Sequence, residues 1–285
     1  MSASAGTLFV VATPIGNLED ITLRALRVLR EADVIAAEDT RRTSKLLAHH
    51  GITTSTVSFH EHNSRTRIPQ LIHRLQAGER VAVVTDAGTP GVSDPGVELV
   101  RACIDAGIAI DPVPGASAPL TAAVASGFPL DTLSIFGFPP AKGNARNNWW
   151  SVVSSAPGVV SFFEAPHRIE RTLTDIASLF GDRPIMIGRE LTKVHQEFLR
   201  GTASELLGRL GEPRGEYTLV IAAADKSLSA KDIDVSDDDL AREFGRHTEN
   251  GDTGRRAAIA ALARKYGKPA REVYAAIERA KKSAS

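Results

Sequence analysis

Apolar positions along the chain follow two rhythms that take turns. Short apolar runs bounded by turn residues read as strands: "TLFVVA" (7–12), "DVIAAED" (33–39), "TSTVSFH" (54–60), "RVAVVTDAG" (80–88) and "IAIDPV" (108–113). Between them the spacing becomes helical. "DITLRALRVLREA" sets Ile21, Leu23, Leu26, Val28 and Leu29 around a helix that Asp20 is placed to cap, and "SKLLAHHG" is a short helix stopped by Gly51. "RIPQLIHRLQAG" and "GVELVRACIDAG" complete the set, with Gly78 just past a helix end, where a left-handed residue is wanted. Strand and helix alternate in this way to about Val113, which predicts an α/β fold with a mostly parallel sheet covered on both faces.

A second α/β series follows "GFPLD". Its strands are "LSIFGF", "VVSFFEA", "PIMIGREL" and "YTLVIAA"; its helices are "NWWSVVSSA", "RIERTLTDIASLFG" and "TASELLGRLG". Periodicity is lost after Ala224 and returns in three short helical stretches, "DLAREFGRH", "GRRAAIAALARKYG" and "PAREVYAAIERAKK". The expected organisation is a disordered start (1–5), an N-terminal α/β domain (6–114), a second α/β domain (115–224), a linker (225–237) and a small helical C-terminal module (238–285).

Composition narrows the class without naming a function. With 34 basic and 34 acidic residues the formal net charge is zero, so no global field draws the molecule to nucleic acid or membrane. The charge is uneven at the end, however: residues 254–285 carry nine bases against two acids. That stretch suits a polyanion or a solvated helical cap equally well on charge alone. The single cysteine, Cys103, excludes an internal disulfide framework. No apolar run is long enough to span a bilayer and "MSASAGT" has no secretory pattern, so a cytoplasmic protein with no membrane partner is the default expectation.

Several familiar chemistries are absent as motifs. "ATPIGN" stands where a dinucleotide fold has G-x-G-x-x-G, no G-x-x-x-x-G-K-[ST] loop is present, and "GASAP" is not a hydrolase nucleophile elbow. "HEH" (60–62) offers two imidazoles, but no third ligand is evident nearby and no metal is expected. What remains is a set of loops at strand carboxyl ends, where open α/β sheets bind ligands: "TPIGN", "EDTRR", "HEHNS", "TDAGTPGVSDPG" and "PVPGASA". The fourth is the most telling. It has almost no bulky side chain, as a plain turn or a close approach to the backbone would require.

Taken in order, "TPIGNLEDIT", "AAEDTRRTSKLL", "HEHN", "TDAGTPGVSDPG", "PVPGASA", "FFEAPHRI", "RELTK" and "GEYTLVI" resemble the tetrapyrrole-methylase superfamily. The closer resemblance is to its ribosomal RNA branch, the small subunit methyltransferase I enzymes, over about Gly6 to Ala224, and the basic helical tail resembles that branch's C-terminal module. The resemblance implies two α/β domains with S-adenosyl-L-methionine in the cleft between them. It further implies methylation of a cytidine ribose 2′-hydroxyl in the decoding region of 16S rRNA, with the 30S ribosomal subunit as partner and a homodimer as the common assembly. Two rival readings use the same residues: a small-molecule methylase of this fold acting on a tetrapyrrole, which the tail argues against, and a non-catalytic ribosome-binding module that has kept the fold.

Carried over residue by residue, the resemblance assigns the cofactor to Pro14, Ile15, Gly88, Thr89, Val92, Ser117 and Ala118, with Phe163 from the second domain. Gly88 and Gly91 would let the backbone approach the ligand, while Asp86 and Asp94 serve equally well as turn caps. Methyl transfer from a sulfonium needs alignment and no metal; a ribose hydroxyl also needs a base or a cation to stabilise the developing alkoxide. Lys193 and Glu190 of "RELTK" are the candidates, with His62 as the alternative, and an ion pair is the competing role for Glu190. Arg41, Arg42, Lys45, Asn63 and Arg168 would contact phosphate or ribose, although Arg41 could instead anchor Glu38 or Asp39. The chain departs from the family at Ser64, where an acid usually follows "HEHN", and at Gln196, where an acid usually stands three residues after the lysine.

Overall fold

The computed structural model describes residues 6–91, 95–224, 236–249, 255, 258–259, 262–263 and 270–283. Contacts divide the chain into two compact units, Met1–Ala223 and Ala224–Ser285.

The larger unit holds two five-stranded sheets. The first comprises β1 (Thr7–Val11), β2 (Val34–Ala37), β3 (Thr56–Ser58), β4 (Val81–Val84) and β5 (Ala109–Val113), in the order β3-β2-β4-β1-β5 and parallel throughout. Its central strands have no polar face because both faces are covered. Ile35, Ala37, Ala82 and Val84 pack with Ala25, Val28 and Leu29 of α1 (Leu23–Glu31) and Leu47 of α2 (Thr40–His49). The alternate residues Val34, Ala36, Val81 and Val83 pack with Leu71 and Leu75 of α3 (Ser64–Gln76) and Leu99 and Cys103 of α4 (Gly96–Asp105). Burial pushes the Cys103 thiol up to about 11, so it behaves as a small hydrophobe.

The second sheet is built from β6 (Leu133–Ile135), β7 (Val159–Glu164), β8 (Ile185–Arg189), β9 (Glu197–Gly201) and β10 (Tyr217–Ile221), in the order β6-β7-β10-β8-β9. Only β6 and β7 run parallel; the other neighbours are antiparallel. One face packs on α6 (Gly143–Ser155), α7 (Ile169–Phe180) and α8 (Ala203–Leu207) through Trp150, Val153, Ile169, Leu173, Ile176 and Leu206. Val159, Met186 and Val220 on the opposite face meet Ala122 of α5 (Ala118–Ser126) and also Ile15, which arrives from the loop after β1. A first-sheet loop is thereby fixed in the second sheet's core.

Local details depart from expectation for identifiable reasons. Thr22, not Asp20, caps α1, its hydroxyl accepting from the Ala25 N–H at 3.1 Å, while Asp20 closes a short 3-10 turn; Leu23, at the helix start, is 86% exposed. The second helix begins at Thr40 rather than Ser44, because Asp39 caps it by accepting from the Arg41 N–H at 2.8 Å. "HEHN" forms a 3-10 turn, not a strand face. β9 and α5 have no counterpart in the expected elements: β9 is a half-exposed edge strand, and α5 ("APLTAAVAS") is apolar nearly all round, so neither shows a clean period.

The smaller unit, described on its own, packs the helix Asp237–Glu249 against the helix Ala270–Ser283 through Leu240, Phe244, Val273, Ala276 and Ile277. Ala258 and Leu262, both helical, complete that core. Three of its described arginines are engaged internally: Arg279 with Asp237 at 2.7 Å, Arg255 with Glu278 at 2.6 Å and Arg242 with Asp239 at 3.3 Å.

Candidate active site

The loops after β1, β2, β4 and β5 are stitched to one another by main-chain bonds and by side-chain bonds to the main chain. Thr13 and Gly88 exchange N–H···O bonds of 2.9 and 3.0 Å. The Thr89 hydroxyl donates to the Ala116 carbonyl at 3.3 Å, tying the fourth loop to the fifth. Asp86 accepts from the Asp39 N–H at 2.9 Å, and the Asp86 N–H donates to Glu38 at 3.1 Å. Gly88 (φ 84°) and Gly91 (φ 99°) lie in the left-handed region, so glycine is required there by backbone conformation as well as by any ligand.

This stitching leaves two cavities with a common wall. The first, about 450 Å³, runs from Ile15, Thr85–Thr89 and Ser117–Pro119 to Ile135, Phe138, Phe163 and Leu191 of the second-sheet half. Among the described residues its charged lining is Glu38, Asp86, Glu164, Glu216 and Arg42. The second, about 420 Å³, is framed by Thr13–Gly16 and the first turns of α2, and its charged lining is Arg42, Lys45 and Lys193 with Asp86 and Glu216. Ile15, Arg42, Thr85, Asp86, Ala87 and Glu216 border both.

The segment Glu190–Lys193 crosses this wall under strain. Glu190 (φ 50°) and Thr192 (φ 65°) both adopt left-handed backbone conformations that cost a non-glycine residue about 1–3 kcal/mol each. Neighbouring glycines make room for it: a Cβ on Gly16 would lie 2.6 Å from the Lys193 Cγ, and one on Gly215 would lie 2.4 Å from the Glu190 carboxylate. The Thr192 hydroxyl accepts from the Asn17 N–H at 3.0 Å, and Glu190 accepts from the Glu216 N–H at 2.9 Å. Lys193 Nζ then reaches Glu190 at 2.9 Å and Glu216 at 3.0 Å. Burial by itself would lower the lysine's pKa, but the hydrogen bonds to Glu190 and Glu216 outweigh it and hold the amine above its ordinary value. For Glu190, burial pulls upward and is overcome by the Lys193 hydrogen bond and the Glu216 N–H, which hold the carboxyl below its usual range.

The residues singled out in the sequence divide clearly. Gly88, Thr89, Ser117, Ala118 and Phe163 line the first cavity, Pro14, Lys45 and Lys193 the second, and Ile15, Arg42 and Asp86 both. Arg41, Asn63, His62, Arg168 and Glu190 line neither. Arg41 is paired with Asp39 at 2.8 Å on the first turn of α2, an arrangement that drives the Asp39 carboxyl far below its usual range. Asn63 spends its side chain on the 3-10 turn, accepting from the His60 N–H and donating to Ser58. His62 stacks edge-on to His60 in the same turn. Arg168 is held by the buried Glu164 at 2.9 Å and by the Pro139 carbonyl. Glu190 supports Lys193 from behind. Val92 and Asp94 lie outside the described residues. Gly16, Gly215 and Glu216 went unremarked in the sequence, although "TPIGN" and "GEYTLVI" contain them.

An all-parallel sheet whose strand-end loops enclose a cavity against a second, mostly antiparallel sheet defines an α/β protein with a ligand site at the strand carboxyl ends. The sequence pattern of the tetrapyrrole (corrin/porphyrin) methylases matches residues 7–207, and the chain belongs to this family. Among its relatives is the ribosomal RNA small subunit methyltransferase I of Halalkalibacterium halodurans, 46% identical over 230 residues that cover 80% of each chain. The protein of the same name from Synechocystis is 46% identical, covering 77% of this chain and 80% of its own. Solved structures of the same fold include uroporphyrin-III C-methyltransferase from Thermus thermophilus (TM-score 0.55, 22% identity, 76% of this chain and 94% of that one). Diphthine synthase also shares it (TM-score 0.61, 15% identity, 76% and 90%).

Proposed function

We propose that this protein is an S-adenosylmethionine-dependent rRNA methyltransferase that methylates the 2′-hydroxyl of a cytidine ribose in the decoding region of 16S rRNA, acting in the cytoplasm on the 30S subunit. The observation that carries the reading is that two cavities share one wall, the first lined by main chain, carboxylates and aromatic surface and the second bordered by Arg42, Lys45 and Lys193.

S-adenosylmethionine fits the first cavity on chemical grounds. Its volume is within the usual range for cofactor sites, and the carboxylates at its border, where Arg168 answers Glu164 and Lys193 answers Glu216, suit a ligand bearing a sulfonium and an ammonium. Phe138 and Phe163, with ring centroids 5.3 Å apart, and Ile135 supply apolar surface for the adenosine. When bound, the cofactor supplies a methyl group on a positively charged sulfur that is a good leaving group. Ser117, the residue before α5, makes no capping bond with its side chain and remains free to meet a ligand. The second cavity suits a phosphate-bearing acceptor through Arg42, Lys45 and Lys193. Lys193, held as the ammonium, stabilises negative charge developing on the hydroxyl oxygen rather than removing its proton. The basic C-terminal helices add a sequence-independent RNA contact, and a homodimer is the expected assembly.

Incubation with 30S particles and methyl-labelled cofactor, followed by nucleoside analysis, tests the reading. The expected product is 2′-O-methylcytidine in 16S rRNA. Label on a base or on a tetrapyrrole, or none despite cofactor binding, would contradict it.

A further inference from the structure

If Lys193 is an ammonium, another group must take the hydroxyl proton. The shared wall limits the choice, because only Asp86 and Glu216 among the described carboxylates border both cavities. Asp86 is engaged at both oxygens: Oδ1 accepts from the Asp39 N–H at 2.9 Å and Oδ2 faces Arg42 at 3.6 Å. It is also integral to the stitching between the β2 and β4 loops. Glu216 differs. Its Oε2 accepts from Lys193 at 3.0 Å, its side chain is 66% exposed, and its position is fixed through its own backbone, whose N–H donates to Glu190 and whose carbonyl accepts from the Glu190 N–H at 3.0 Å. Glu190 borders neither cavity, and Gly215 leaves no room for a side chain between it and the chain at Glu216. The strained segment therefore holds a lysine and a carboxylate side by side at the opening between the two cavities.

We propose that Glu216 is the proton acceptor for the reacting hydroxyl and that Glu190 is a positioning residue that holds Glu216 and Lys193 as a pair. The proposal rests on the methyltransferase reading above. As the hydroxyl oxygen forms its bond to the methyl carbon, its proton passes to a Glu216 carboxylate oxygen. The carbon–sulfur bond breaks with its electron pair remaining on sulfur, so the sulfonium charge is neutralised as the proton arrives on the carboxylate. Lys193 donates a hydrogen bond to the oxygen while charge develops there. The proton then leaves Glu216 to water through its exposed side. No metal or further co-reactant enters the balance.

Glu216→Gln keeps the shape and removes the proton-accepting charge. In single-turnover methylation of 30S particles it is expected to be about 10²–10⁴-fold slower than the unaltered protein, the usual range for a general base. Calorimetric affinity for S-adenosylhomocysteine and binding of 30S particles should each stay within about threefold. Glu216→Asp should recover part of the rate. A Glu216→Gln rate within about threefold of the unaltered protein would overturn the assignment. So would a loss of rate matched by an equal loss of cofactor or 30S affinity, which would make Glu216 a binding residue. A second readout needs no substrate. Acetylation of Lys193, followed by mass spectrometry across pH, should shift to lower pH in both Glu216→Gln and Glu190→Gln, since each removes an anion that holds the ammonium. An unchanged profile in Glu216→Gln overturns the pairing and the proposal with it. If the unaltered protein fails to methylate 30S particles, the substrate reading fails and the proton-acceptor role with it, while the acetylation profile still decides the Glu216–Lys193 pairing.

Discussion

The two cavities differ in how they are made. The first is walled largely by backbone and small residues on the first-sheet side, Thr85–Thr89 and Ser117–Ala118, held by reciprocal main-chain bonds between Thr13 and Gly88. The second depends on long charged side chains, Arg42 and Lys45 on α2 and Lys193 on a strained segment. A main-chain wall is rigid, and it tolerates side-chain change except where a special φ is needed. A side-chain wall is tunable but depends on each group being held in place. In the proposed function, the rigid cavity takes an invariant cofactor and the charged one takes a large, flexible acceptor.

Mutations that act on one cavity and spare the other sharpen this contrast. A large effect is expected from Lys193→Met, which should reduce single-turnover methylation by about 10²–10³-fold with cofactor affinity unchanged, because the lost interaction belongs to the transition state. Gly88→Val should do the reverse. Its cost is mainly conformational, since a Cβ at Gly88 meets nothing closer than Ile15 at 3.5 Å but a φ of 84° suits no β-branched residue. Strain of about 1–3 kcal/mol, relieved by moving the loop, should weaken cofactor binding at least about tenfold in calorimetry. Lys45→Ala, which touches the second cavity alone, should raise the 30S concentration at half-maximal rate about five- to tenfold, the value of one ordinary hydrogen bond of about 1 kcal/mol. Arg41→Ala should change it less than about twofold, because Arg41 already serves Asp39.

The smallest effect concerns pH. The Glu190 carboxyl is held below its ordinary value near 4.5, so its contribution to stability is complete above that value and is lost as pH falls through the lower folded one. Glu190→Gln should therefore flatten the dependence of Tm on pH as pH falls below about 5. A slope equal to that of the unaltered protein would show that the Glu190–Lys193 contact does not anchor the segment.

Much of this arrangement was legible in the sequence because alternation and motif order are local properties. "VIAA" and "VAVV" announce doubly covered strands, and "TDAGTPG" announces a backbone-lined loop. The carbon-copy rhythm of the second series concealed a change of topology, since strand direction depends on which strands pair and not on their composition. β9 was hidden by its edge position and α5 by its uniform small apolar residues. The site was less legible than the fold. Arg41, Arg42 and Lys45 are equivalent in type, yet helix capping by Asp39 turns the first aside while the other two border the second cavity. Gly16, Gly215 and Glu216 matter only through residues about 25 to 180 positions away along the chain, at Glu190 and Lys193.

The claim that the two cavities divide the work is tested most directly by a crystal structure with S-adenosylhomocysteine bound. The account predicts the ligand in the first cavity, against Gly88, Ser117 and Phe163, with the space beside Lys45 and Lys193 left open to an acceptor. A ligand seated instead against Lys45 and Lys193, or spread across both cavities so that Glu216 is covered, would contradict it.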